Sequence, residues 1–196
     1  MRKIILASSS PRRKHLLEMI GLKFTVHESK FKEVMDEKIP ADILCKKLAY
    51  QKAKDVAKSY KDALVIGADT FVILDNKYIG KAKDDKQAYE MLLKLSGKKH
   101  IVITAFAIID SRTGKHVTES IKSNVYFRKL SDKEINFYVA SAEPIGKAAG
   151  YAIQGIGGLF VDKIEGEFFT VVGLPIGRII QLLPDFGVDF FNEKKS

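Results

Sequence analysis

Apolar runs alternate with helically spaced apolar positions along this chain, and this pattern predicts strands and helices in alternation. Apolar runs predict buried strands over Ile4–Ala7 and Ala63–Ile73, and a β-hairpin from Ile101–Asp110 and His116–Phe127. Apolar positions at helical spacing predict helices starting at Pro11, after Pro40, after Asp84, at the capping box Ser131–Glu134, and at Pro175. We therefore expect a single α/β or α+β domain over residues 1–196, with a frayed tail after Phe191.

The first helix carries an unusual pair of charges. Ser10 is the predicted N-cap, Pro11 suits the first helical position, and Gly21 is a natural stop. Arg12 and Arg13 then fall in the first turn, where the helix dipole disfavours each cation by about 0.3–1 kcal/mol. A bound phosphate would make the two cations favourable at this position, because guanidinium groups and free N–H groups both bind phosphate well. The alternative is a pair of solvated surface arginines.

Lys52 breaks the pattern of the second helix. It falls inside the apolar stripe, one turn from both Leu48 and Val56, whereas the other lysines of this helix lie on the opposite side. The ammonium group either snorkels to the edge of the stripe or points inward at a bound phosphate. A lysine that only covers the stripe should tolerate replacement by methionine, which keeps the apolar stem.

Asp69 is the only charged residue between Asp62 and Asp75, in an otherwise apolar strand. A carboxylate in such a strand costs several kcal/mol unless it has partners. It either has a structural role, capping the strand or pairing with a lysine, or acts as a general base or metal ligand. Gly67, two residues earlier, would let a ligand approach the backbone closely.

The composition limits the class of partner. The net charge of +9 raises the possibility of nucleic-acid binding, but the lysines are dispersed and no zinc, RNA-recognition or basic-zipper pattern accompanies them. A basic solvated surface equally suits a small polyanion, so we expect no stable nucleic-acid partner. The longest uncharged apolar runs are far too short for a membrane span, so no membrane association is expected.

Cysteine content and the N-terminal pattern predict a compartment. Cys45 is the only cysteine, which excludes an internal disulfide, and its apolar neighbours in a helix predict a core position. The apolar run before the first serines is too short for a signal peptide. We therefore expect a cytoplasmic protein.

A set of short motifs, in order and in register, resembles the Maf family of nucleoside triphosphate pyrophosphatases. They are Ser8–Arg13, Gly67–Thr70, Ser96-Gly97 with His100 and Thr104, Glu143-Pro144, Ile153–Gly155, Ile164–Gly166 and Val172–Pro175. The resemblance covers nearly the whole chain. It implies a mixed twisted β-sheet flanked by helices with a substrate cleft, as in inosine triphosphatase-like folds. It also implies hydrolysis of a nucleoside triphosphate to the monophosphate and pyrophosphate.

The resemblance also implies roles for individual residues. Asp69 corresponds to the catalytic proton acceptor, and Glu33, which otherwise reads as a solvated loop residue, corresponds to an acidic site residue. The triphosphate would be bound by Ser8, Arg12, Arg13, Lys52 and Lys81. A divalent cation, Mg²⁺ by expectation, would accompany the phosphates, but its ligands cannot be identified from spacing. Glu33 and Asp69 are the best candidates.

Three positions separate the branches of the family, and here they are Arg12, Thr70 and Gln154. These residue types resemble the dTTP and UTP pyrophosphatase branch, and a glutamine amide matches the donor and acceptor edge of a pyrimidine. Two residues depart from the family pattern. Ala82 replaces a proline, which predicts a less rigid loop at Lys81, and Gly146 replaces an aspartate.

Two alternative functions stay open from the sequence. One is a pyrophosphatase for modified nucleotides, and the other is a nucleic-acid-binding or regulatory protein of cell division. A homodimer also stays open.

Overall fold

In the computed structural model, which describes residues 2–36 and 38–193, the strands assemble into one mixed sheet. Its strands are β1 (Ile4–Leu6), β2 (Thr25–Val26), β3 (Leu64–Leu74), β4 (Lys77–Ile79), β5 (Lys99–Asp110), β6 (His116–Phe127) and β7 (Val161–Glu165). The helices are α1 (Pro11–Met19), α2 (Ala41–Ala57), α3 (Asp85–Leu95), α4 (Asp132–Ala140), α5 (Phe168–Val172), α6 (Ile176–Leu182) and α7 (Phe190–Glu193). Two 3₁₀ helices cover Ile156–Phe160 and Leu183–Phe186.

The strand order is β2-β1-β3-β5-β6-β7, and β4 pairs with β3. β1 runs parallel to both neighbours, with Ile5 opposite Thr25 in β2 and opposite Val65 in β3. The pairs β3–β4 and β6–β7 are antiparallel. This arrangement confirms the predicted mixed sheet flanked by helices.

The chain divides into two compact units. The first unit takes in Met1–Asp69, Thr104–Ile121 and Gly173–Ser196, and the second takes in Thr70–Ile103 and Lys122–Val172. Strands β3, β5 and β6 each contribute residues to both units. One domain over residues 1–196 therefore stays a prediction.

Helix α2 packs closely on the strands in the core of the first unit. The buried residues of this core are Ile5, Ala7, Ala53, Val56, Ala57, Ala63, Val65, Ala107 and Ile109. A Cβ on Gly67 of β3 would lie 2.5 Å from the Ala49 carbonyl oxygen and 2.7 Å from the Ala53 nitrogen. Gly67 is thus required for the close approach of α2, which corrects the expectation that it admits a ligand.

Helix and turn signals in the sequence were mostly correct, because they act locally. The Asp84 carboxylate accepts from the Gln87 N–H at 2.8 Å, and Ser131 and Glu134 form the predicted capping box. Gly21 follows α1 with a φ of 71°. Ser10 occupies the N-cap position of α1, but its side chain makes no capping hydrogen bond, so its predicted role is wrong.

Strand β4 and helix α7 differ from the secondary structure that the sequence predicts. Asp75 and Asn76 adopt left-handed φ values of 50° and 61°, and this turn leads into β4, which the sequence did not predict. The chain does not fray directly after Phe191, because α7 continues to Glu193. The rest of the predicted frayed tail, residues 194–196, lies outside the described residues. Within the described part of the chain, no helix is both long and apolar enough to cross a bilayer.

His100 is buried in an aromatic cluster of the second unit. Its ring packs edge-on against Phe127 and Tyr151, and its Nε2 lies 2.8 Å from the Tyr151 hydroxyl oxygen. Nδ1 is buried with no hydrogen-bond partner among the described residues. Burial disfavours the charged imidazolium and lowers the pKa of His100 to about 4.

We expect the free energy of unfolding to fall as the pH is lowered from about 6.5 towards 4. Over this window the unfolded chain binds a proton at His100 whereas the folded protein does not, so protonation favours unfolding. At about 1.4 kcal/mol per pKa unit the loss approaches about 3 kcal/mol. Urea unfolding at several pH values should show this slope, and His100→Gln should reduce it. The exposed His116, replaced by Gln, is the control, and an unchanged slope in His100→Gln would contradict the assignment.

Candidate active site

Arg13 binds three acceptors of the first unit. From the first turn of α1, its Nε donates to the Gly173 carbonyl oxygen at 2.8 Å. Its Nη1 donates to the Ala68 carbonyl oxygen at 2.9 Å and to Ser8 Oγ at 3.1 Å. Desolvation lowers the pKa of Arg13, and the carboxylate of Asp69 opposes that shift. Because an arginine stays protonated in proteins, the structure fixes a cation beside Ser8 and Asp69.

Lys52 points inward from α2 and bridges two carboxylates. Its Nζ lies 2.6 Å from Asp69 Oδ1 and 2.6 Å from Glu33 Oε1. The Lys52 side chain is only 13% exposed, so it does not snorkel to solvent. Both anomalies of the sequence, the inward lysine and the aspartate in an apolar strand, thus meet in one ion pair.

Asp69 is buried and only partly satisfied. Its Oδ2 is inaccessible and has no hydrogen-bond partner among the described residues, whereas its main-chain carbonyl accepts from Cys45 Sγ at 3.3 Å. Burial, followed by the charge of Asp69, raises the pKa of Cys45 to about 12. Cys45 is therefore an unreactive thiol in the core. The unpaired oxygen costs about 1–3 kcal/mol.

The carboxylates of Glu33 and Asp69 fit a hard divalent cation. Both already contact one positive charge, the Lys52 ammonium, and Asp69 has a buried oxygen without a partner among the described residues. Mg²⁺ is commonly held by one or two carboxylates together with substrate phosphates and water. The described residues contain no cluster of three or more His, Cys, Asp or Glu side chains suited to a metal, so an all-protein cage is not formed by them.

The remaining predicted site residues occupy different places. Arg12 is half-buried in the first turn of α1, in the first unit. Thr70, Lys81 and Gln154 belong to the second unit, where Thr70 is half-buried in β3 and the other two are exposed. Direct contacts thus join Arg13 to Ser8 and join Lys52 to both Glu33 and Asp69. The charges of Asp69 and Glu33 also act on the Arg13 guanidinium.

The segment of Lys81 is supported by backbone pairing rather than by a proline. Lys81 bridges Ala148, and the Ala82 carbonyl oxygen accepts from the Gly146 N–H at 2.8 Å. These bonds hold the backbone on both sides of Lys81, and the expectation of a loop less rigid than one with a proline stays a prediction. Gly146 has a φ of 74°, a conformation that an aspartate would adopt only with strain.

Glu143 is a residue that sequence reasoning quoted within a motif but gave no role. Its Oε1 accepts from the Tyr138 hydroxyl at 2.8 Å and from the Gly157 N–H at 3.1 Å, and its Oε2 accepts from the Ile156 N–H at 3.1 Å. Glu143 therefore holds the turn that carries Gln154. The run of glycines after Gln154 is the one signal in the sequence that could have indicated this close packing.

This chain belongs to the Maf family, because the model of that family, described as "Maf-like protein", matches residues 3–186. A curated relative from Alkaliphilus oremlandii, named dTTP/UTP pyrophosphatase, is 51% identical over 91% of this chain and 93% of its own length. A relative of the same name from Methanosarcina barkeri is 44% identical over the full length of both chains. The resemblance read from the motifs is confirmed. Among solved structures, the Staphylococcus aureus Ham1 protein matches at 17% identity with a TM-score of 0.42, over 67% of this chain and 73% of its own.

Proposed function

We propose that this protein hydrolyses nucleoside triphosphates, with preference for dTTP and UTP, to the monophosphate and pyrophosphate, in the cytoplasm. The observation that carries the proposal is the Lys52 ammonium held between Asp69 and Glu33, with the Arg13 guanidinium beside them. Cations and a buried carboxylate at one place suit phosphate binding and the activation of water together. The two relatives described above, both named dTTP/UTP pyrophosphatase, support the choice of substrate.

In the proposed mechanism, cations from the first unit bind the triphosphate. Arg12 and Arg13 provide planar donors that suit phosphate oxygens, and the Lys52 ammonium provides a compact charge. Ser8, which accepts from Arg13, has a hydroxyl proton to donate to a phosphate oxygen. For Lys81 and Thr70, a contact with the substrate rests on the family resemblance alone.

Asp69 is the proposed general base. Its carboxylate, which contacts the Lys52 ammonium through Oδ1, accepts the proton of the attacking water. The water oxygen bonds to the α-phosphorus, and the bond from that phosphorus to the α,β-bridging oxygen breaks. Pyrophosphate leaves with the bonding electrons, so atoms and charge balance.

Glu33 and Asp69 would hold a divalent cation, Mg²⁺ by preference, which supplies neutralising charge to the phosphates when bound. In the structure the Lys52 ammonium neutralises the negative charge of these two carboxylates. Binding of triphosphate would give the same ammonium phosphate oxygens as additional partners.

Gln154→Glu tests the proposed base preference. The wild type is expected to hydrolyse dTTP and UTP well ahead of ATP, GTP and 7-methyl-GTP. A carboxylate cannot donate a hydrogen bond, so one pyrimidine group loses its partner, at a cost of about 1–3 kcal/mol in kcat/KM. The added negative charge also repels the polyanion, so affinity for every triphosphate should fall.

Phosphate release, measured with added inorganic pyrophosphatase across a panel of standard and modified nucleotides, checks this expectation. Gln181→Glu makes the same change at an exposed residue of α6 and should leave the preference intact. Equal losses for all bases in Gln154→Glu, or a wild type that prefers purines or modified nucleotides, would contradict the pyrimidine assignment.

A further inference from the structure

The Glu143 carboxylate is enclosed by backbone and side-chain donors of the second unit. Besides the two N–H groups of Ile156 and Gly157, it accepts from the hydroxyl of Tyr138, which is fully buried. Because three donors bind the two terminal atoms of this side chain, both of these atoms must be hydrogen-bond acceptors. A carboxylate meets this requirement, whereas a carboxamide does not.

Gly155 and Gly157 lie so close to Glu143 and Tyr138 that a side chain at either position would force these groups to shift. A Cβ on Gly155 would lie 2.1 Å from Glu143 Oε2, and one on Gly157 would lie 2.7 Å from the Tyr138 hydroxyl oxygen. Real Cβ atoms essentially never approach that closely. Gly155 therefore serves the contact with Glu143, and Gly157 serves the close packing of the same turn on Tyr138 and Ala152.

The same hydrogen-bond network holds the turn on both sides of Gln154. On the preceding side, the Tyr138 hydroxyl oxygen accepts from the Ala152 N–H at 3.0 Å. On the following side, Glu143 binds the backbone of residues 156 and 157. The exposed Gln154 side chain thus projects from a turn whose backbone is fixed at both ends.

We propose that Glu143 is a positioning residue that orients the Gln154 carboxamide and so sets the choice of base. This inference rests on the proposed function, in which Gln154 binds the base. Glu143 itself is not a catalytic residue, because in the structure its oxygens are directed at the protein's own donors. Recognition of a base by hydrogen bonds requires a carboxamide in a fixed orientation. If the carboxamide becomes mobile, the enzyme loses selectivity between bases before its turnover falls.

The test is Glu143→Gln, which keeps the shape but turns a donor towards Ile156, Gly157 or Tyr138. We expect the ratio of kcat/KM for dTTP to that for CTP to fall about tenfold, with the change mainly in KM for dTTP. Tyr138→Phe, which leaves the carboxylate in place, should give a smaller loss of the same kind. Glu134→Gln alters another hydrogen-bonded carboxylate, in the capping box of α4, and should leave the ratio unchanged.

A double-mutant cycle separates positioning from general destabilisation. In a Gln154→Ala background, Glu143→Gln should change the base ratio no further, because the carboxamide it orients is gone. An equal loss in both backgrounds, or wild-type selectivity in a folded Glu143→Gln protein, overturns the inference.

Hydrogen exchange at the Ile156 and Gly157 amides tests the physical role of Glu143 without substrate. Faster exchange in Glu143→Gln supports the inference, and unchanged exchange contradicts it. A wild type that hydrolyses dTTP and CTP equally well overturns both the proposed preference and the role of Glu143 in it. In that case the exchange rates still show whether Glu143 holds the turn, so the two failures are distinguishable.

Discussion

Asp69→Asn is expected to lower kcat for dTTP by about 10²–10⁴-fold while the protein stays folded. Asparagine keeps the shape of the side chain and an oxygen that can accept from Lys52. The second position becomes an amide nitrogen, which donates hydrogen bonds and cannot take the proton of the attacking water. Steady-state kinetics on dTTP and UTP, with circular dichroism and a melting curve on the same sample, checks both halves of this expectation.

The matched control is Asp75→Asn, in the turn after β3. Asp75 is exposed and pairs with Lys98, and its left-handed φ of 50° suits asparagine equally well. This variant should retain the wild-type kcat. Turnover by Asp69→Asn close to that of the wild type on every triphosphate would remove Asp69 from the mechanism.

Local physics explains why most of the fold could be predicted from the sequence. The period of apolar positions marked β3, β5, β6 and the main helices, and cap residues such as Asp84 act within one turn of the chain. The short strand β4 could not be predicted, because three residues are too few to show the alternation of apolar and polar positions. Gly67 was misinterpreted because the partner that it admits, helix α2, precedes it by 14–18 residues and leaves no mark beside it.

The candidate site was predictable only where a residue violated its surroundings. Lys52 and Asp69 stood out because charge on an apolar face is costly without a partner, and the structure shows that each is the other's partner. Glu33 gave no such signal, since its side chain is 41% exposed and an exposed glutamate is ordinary. Glu143 was missed because it binds backbone donors 13 and 14 residues further along, a contact that only the fold creates.

Lys52→Met is expected to reduce both activity and stability. The apolar stripe alone suggested tolerance, but the structure makes Lys52 the counter-charge of the buried Asp69. Removing one partner of a buried pair costs about 3–5 kcal/mol, and the part exposure of this pair places the loss at the lower end. Loss of a preorganised cation for the phosphates should lower kcat/KM by about 100-fold. Lys47→Met, at an exposed position of the same helix, should change neither quantity.

The double variant Lys52→Met/Asp69→Asn separates the two roles of Lys52. If its effect on stability arises from leaving Asp69 unpaired, neutralising Asp69 as well should recover about 0.5–3 kcal/mol relative to Lys52→Met alone. Activity should not recover, because phosphate binding and the general base are then both lost. Urea unfolding and kcat/KM for dTTP measure the two effects independently. A Lys52→Met protein with unchanged stability would show that the buried Asp69 does not depend on Lys52 as its counter-charge. A Lys52→Met protein with unchanged kcat/KM would exclude Lys52 from the binding of phosphate.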